Sequence, residues 1–73
     1  MEQVQIRDES ITLGQVLKLH GVADNGAIAK EMIAAGDVTV NGEPDTRRGR
    51  RLGPGDVVAV DAAGVEFEVT TSR

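Results

Sequence analysis

Four arginines crowded into five positions, Arg47, Arg48, Arg50 and Arg51, are the residues of this sequence best equipped for chemistry. A guanidinium group forks two hydrogen bonds onto phosphate or carboxylate oxygens, and several in one short segment create a local positive field that distant acids do not fully cancel. The whole chain is acidic, at −4, so its charge is segregated: outside the arginine run, 12 acids face 4 basic residues, a net −8. Composition alone leaves two readings of the run. Either the arginines are solvated and pair with Glu43, Asp45 and Asp56, each pair contributing about 0–1 kcal/mol, or they bind phosphate. Lys18 and Lys30 favour the second, because each falls off the apolar stripe of its own helical segment and should point to solvent.

Catalytic chemistry finds little support. His20 is the single histidine, cysteine is absent, and no Ser, His and Asp fall at a recognisable spacing. His20 ends a helical pattern, where packing near a helix C-terminus is the simpler expectation and base stacking the alternative. Gly53-Pro54-Gly55 lacks the strand, helix and Gly-Lys-Ser/Thr ending of a phosphate cradle, and Asp56 to Glu66 does not supply the alternating ligands of a hard-metal loop. No catalytic residues, no cofactor and no metal are expected.

The elements that must position the basic residues follow from periodicity. At 73 residues the chain accommodates one domain, 1–73, and with Phe67 as its sole aromatic the core must come from Val, Ile, Leu, Ala and Met. Val4 and Ile6 alternate with polar neighbours, as in a half-buried strand. Leu13, Val16, Leu17 and His20 then fall at helical spacing, with Ser10 or Thr12 as N-cap and Gly21 as stop. Asp24 or Asn25 can cap a second helix in which Ile28, Met32 and Ala35 form one stripe and Ala29 and Ile33 the adjoining one, ending at Gly36. Val38 and Val40 mark a strand, followed by the turn pair Asn41-Gly42. Glu43 to Leu52 reads as a polar connection carrying the arginines. Gly53 to Asp56 is a turn, Val57 to Val60 a strand, Asp61 to Gly64 another turn, and Val65, Phe67 and Val69 a last strand that could pair with the first. Thr70 to Arg73 are expected to fray. The fold class expected is α+β: a short αα-hairpin inserted into a small, largely antiparallel sheet.

No run of 18 apolar residues and no basic-then-apolar leader pattern occurs. With cysteine absent, a cytoplasmic, soluble monomer with no membrane partner is expected.

Taken together, Leu13-Gly-Gln-Val-Leu-Lys-Leu19, Ala29-Lys30, Gly36-Asp-Val-Thr-Val-Asn-Gly42, Arg47-Arg-Gly-Arg-Arg-Leu52 and Pro54-Gly-Asp56 resemble the S-four domain, the αL RNA-binding motif. That domain is found in a small-subunit ribosomal protein, pseudouridine synthases, tyrosyl-tRNA synthetase and a ribosome-rescue heat-shock protein. The resemblance spans about residues 11–60 and is most similar to the stand-alone bacterial branch, whose members consist of this domain alone. It implies an RNA-facing surface made by the two helices and the following loop, with Lys18, Lys30, Asn41, Arg47, Arg48, Arg50 and Arg51 on it. Structured RNA, ribosomal or transfer, is the implied partner, with an acidic protein as the alternative. Many family members open the first helix with Arg-Leu-Asp and the second with Ser-Arg; here Thr12-Leu13-Gly14 and Asn25-Gly26 stand in those places. Usual phosphate or capping contacts are therefore expected to be missing at Thr12, Gly14 and Gly26, leaving more of the binding to the arginines.

Overall fold

The computed structural model describes residues 1–72. In chain order its elements are β1 (Glu2–Ile6), β2 (Ile11–Thr12), α1 (Leu13–His20), α2 (Gly26–Ala34), β3 (Val38–Val40), β4 (Glu43–Pro44), β5 (Arg51–Leu52), β6 (Val57–Val60), a 3-10 turn (Asp61–Ala63) and β7 (Val65–Thr71). Five strands form one sheet in the order β1-β7-β6-β3-β4, and β2 pairs with β5 in a separate two-stranded ribbon. Every pairing is antiparallel except β1 with β7, which run parallel with Val4 opposite Val69. The αα-hairpin interrupts the sheet as the periodicity implies, because the apolar spacing changes from two to about 3.6 at Leu13 and back again at Val38.

Both helices contribute to the core, while the sheet supplies alternate residues from its inner face. Leu13, Val16 and Leu17 of α1 are buried with Val4, Ile6, Val38, Val40, Val58, Val60, Phe67 and Val69 in one apolar cluster. On α2 the buried stripe is Ala29 and Ile33; Ile28 and Met32 are half-buried at its shoulder and Ala35 is exposed. Alanine at the centre of that stripe adds only a methyl group between α2 and its neighbours, which suits the direct packing of the two short helices.

Two segments depart from expectation. The polar stretch 43–52 begins and ends in short strands. Glu43 and Pro44 pair back onto Val40 and Thr39 across the Asn41-Gly42 turn, whose φ angles of 53° and 88° lie in the left-handed region that this residue pair tolerates. Arg51 and Leu52 pair with Thr12 and Ile11, and so tie the arginine run to the start of α1. Of the segment expected to fray, Thr70 and Thr71 belong instead to β7, where Gln5 and Ile6 of β1 pair with them; Arg73 lies outside the described residues.

Candidate nucleic-acid interface

The connection from Asp45 to Leu52, here the arginine loop, is organised around one acid. Asp45 has a side chain only 5% exposed. Its Oδ1 accepts the backbone N–H of Arg47 at 2.9 Å and the Arg47 Nε at 3.1 Å, while Oδ2 accepts Arg47 Nη2 at 2.9 Å and Arg50 Nη1 at 2.7 Å. The Asp45 N–H in turn donates to the carbonyl of Val38. The Arg47 side chain, then its backbone N–H, holds the Asp45 carboxyl well below the usual carboxylate range, against the opposing effect of burial and with Arg50 assisting. Two of the four arginines are thus committed to an internal carboxylate.

The loop backbone is placed by the start of α1 and by β2. A helix leaves its first N–H groups without intrahelical acceptors. Here the Leu13 N–H donates to the Arg50 carbonyl at 2.9 Å, the Gly14 N–H to the Arg48 carbonyl at 3.1 Å, and the Gln15 N–H to Thr12 Oγ1. Gln15 Oε1 accepts the Thr12 N–H, which completes a capping box. The loop therefore docks onto the end of α1 through its own carbonyls. Gly14 permits this: a Cβ there would lie 3.0 Å from Arg48 Cγ. Arg51 is exposed and donates from Nη1 to Ser10 Oγ. Asn25 caps α2, its Oδ1 accepting the Ile28 N–H at 2.9 Å. Both caps fall on residues the periodicity had offered, Thr12 and Asn25, so a capping contact is present at Thr12, where the family resemblance had implied one missing.

Where loop, α1 and α2 meet, an open cleft of about 360 Å³ forms. Thr12, Gly14, Gln15 and Lys18 line it from the α1 side, Gly26 and Ala29 from α2, and Arg48 and Gly49 from the loop. Neither Lys18 nor Arg48 is ion-paired to a carboxylate among the described residues, whose acid–base pairs are Arg47–Asp45, Arg50–Asp45 and His20–Glu2.

The remaining sequence candidates lie elsewhere. Lys30 is exposed on α2 but is not part of the cleft wall. Asn41 ties two turns together: its amide nitrogen donates to Asp56 Oδ1 at 3.0 Å, and its oxygen accepts the Val57 N–H at 2.9 Å. The Asn41 bond, followed by the Gly53 N–H, lowers the pKa of Asp56. His20 stacks on buried Phe67, with ring centroids 4.8 Å apart, and sits 3.2 Å from the Glu2 carboxylate, in keeping with its expected packing role. Gln15, Ala29 and Gly49 were not singled out from sequence. Their one sequence signal is indirect: glycine at positions 14 and 26 adds no side chain and leaves a space for other residues to frame.

Residues 4–70 match the model of the S4 domain. The chain is 49% identical over 66 residues to the probable ribosome maturation protein RlbA of Bacillus subtilis (strain 168), covering 90% of this chain and 92% of that protein. Among solved structures, YbcJ from E. coli, described as having an αL motif involved in RNA binding, aligns with a TM-score of 0.71 at 32% identity. That alignment covers 96% of this chain and 87% of YbcJ. The 30S ribosomal protein S4e from Thermoplasma acidophilum shares the fold, with a TM-score of 0.58 at 21% identity over 92% of this chain and 40% of its own. The chain belongs to the S4 domain family.

Proposed function

We propose that this S4-domain protein is a non-enzymatic RNA-binding module that grips the phosphate backbone of structured RNA with its helix pair and arginine loop. The observation that carries the reading is the meeting of Lys18 and Arg48, two cations with no acidic partner among the described residues, on the wall of one cleft. Lys30 and Arg51 are exposed and open to further phosphates outside the cleft, whereas Arg47 and Arg50 act through Asp45 to shape the loop and offer RNA only their remaining N–H groups. Asn41 contributes by holding the β3–β4 turn against Asp56 and Val57.

The names of the similar proteins point the same way: a ribosome maturation protein in B. subtilis and an RNA-binding αL motif in YbcJ. Ribosomal RNA is therefore the first target to try, with transfer RNA second. The single aromatic, Phe67, is fully buried, so the module has no exposed aromatic on which to stack a run of bases, and backbone and shape must dominate recognition. We read residues 1–73 as one domain that works as a cytoplasmic monomer without a cofactor.

Affinity for a structured ribosomal RNA fragment, measured across a salt series, tests this. With about four phosphates neutralised, binding should weaken about 50- to 150-fold between 50 and 200 mM salt. Lys18→Ala/Arg48→Ala should remove about two of those contacts and flatten the log–log salt slope by about 1.4–1.8, with an unchanged circular dichroism spectrum. A folded wild type that ignores RNA, or binds it with no salt dependence, overturns the reading and redirects it to an acidic protein partner.

A further inference from the structure

We infer that the cleft between α1, α2 and the arginine loop receives one nucleoside phosphate unit, presented by RNA as a single extruded nucleotide. The inference rests on the RNA-binding reading and adds which part of the RNA enters, and where. Its volume of about 360 Å³ lies within the range of roughly 300–1,000 Å³ usual for small-ligand sites. Three glycines and Ala29 supply lining with no side chain longer than a methyl group. A Cβ built on Gly26 or Gly49 would meet nothing within 4 Å, so the space in front of both backbones is open to a flat ring.

The rest of the lining has the chemistry such a ligand requires. The Arg48 stem rests against Gly14, which limits the freedom of its guanidinium before any ligand arrives. A planar guanidinium can cover a base face, and with Phe67 buried and His20 stacked against it, Arg48 is the planar group available at the cleft. The Lys18 ammonium suits the attached phosphate as a compact charge. Gln15 spends its carbonyl oxygen on the Thr12 N–H, and its amide nitrogen has no partner among the described residues, leaving a donor for the acceptor edge of a base.

Gly26→Leu adds bulk to a residue that lines the cleft, at a backbone position where a Cβ meets nothing within 4 Å, so the fold should be retained. The experiment compares two RNA hairpins differing only in one unpaired nucleotide, bound by the wild type and by Gly26→Leu. The wild type should prefer the bulged hairpin by about tenfold, and Gly26→Leu should reduce that ratio to about one. Equal affinity of the wild type for both hairpins, or a preference that survives Gly26→Leu in a folded variant, overturns the proposal while leaving general RNA binding intact. If neither hairpin binds, the RNA reading fails, and titration of the ¹⁵N-labelled protein with AMP and UMP decides the cleft separately. Saturable shifts at Gly26, Ala29 and Gly49 that vanish in Lys18→Ala/Arg48→Ala support a site for free nucleotides; none overturns it.

Discussion

On its inner side the arginine loop wraps Arg47 and Arg50 around the buried carboxylate of Asp45, whereas on its outer side it joins Arg48 to Lys18 in the wall of an open cleft with no acid among the described residues paired to either. The same residue type thus serves architecture at positions 47 and 50 and lines an open cleft at position 48. Charge counted along the sequence overstates the charge available to a phosphate, because the fold neutralises part of it internally. The −4 net charge is compatible with RNA binding for the converse reason: what matters is which cations remain unpaired on one surface. A variant replacing all four arginines would mix these two roles, so they must be separated one side at a time.

Removing the inner side should have the largest effect. Asp45→Ala deletes the acceptor of four hydrogen bonds and is expected to cost about 2–3 kcal/mol of stability, read as a lower urea midpoint, with RNA binding weakened only as far as the loop loses its shape. Lys18→Ala/Arg48→Ala should do the reverse. If Asp45→Ala leaves the midpoint untouched, the division between the two sides collapses.

Acid should erode the inner side more gently. The folded-state pKa values of Asp45 and Asp56 lie below the ordinary carboxylate value, so their contributions are complete above about pH 4–5 and drain away as pH falls toward the folded-state values. Urea midpoints should be level from pH 7 to about 5 and fall below about pH 4, with a shallower fall in Asp45→Ala. An equally steep fall in that variant would assign the acid sensitivity to other carboxylates.

Gly14→Ala is the finest probe of the outer side. Its methyl group would stand 3.0 Å from Arg48 Cγ and 3.6 Å from the Arg48 carbonyl oxygen, so the arginine stem must lift. RNA affinity should drop about two- to fivefold in a protein that still folds. Unchanged affinity would mean that the resting place of Arg48 on α1 has no bearing on binding.

Periodicity made both helices, the Asn41-Gly42 turn and the alternating strands legible, since each rests on spacing within a few residues. It left the direction of the β1–β7 pairing open, because alternation fixes which face a residue takes and not which way its partner runs. Asp45 could be named as one of three acids near the arginines, yet its place in the fold depends on β3, whose Val38 carbonyl accepts its N–H, and on the loop bringing Arg47 and Arg50 onto its carboxylate. The cleft was less visible still: Thr12, Gln15, Ala29 and Gly49 come from three separate segments, and no local pattern announces that they share a wall. Sequence located the basic residues; three-dimensional packing divided them into paired and unpaired.

The parallel union of β1 with β7 also sets a timetable. β1 pairs residue 2 with residue 67, and its sole neighbour in the described sheet is β7, more than 55 residues further along the chain. Contacts so distant along a chain close late, whereas the αα-hairpin and the β3–β4 hairpin can form from neighbouring residues as soon as these are available. Val4 and Ile6 therefore wait without Phe67 and Val69 beside them until β7 has been made, and chains interrupted before Val65 would leave these two apolar side chains without their strand partner and open to quality-control machinery.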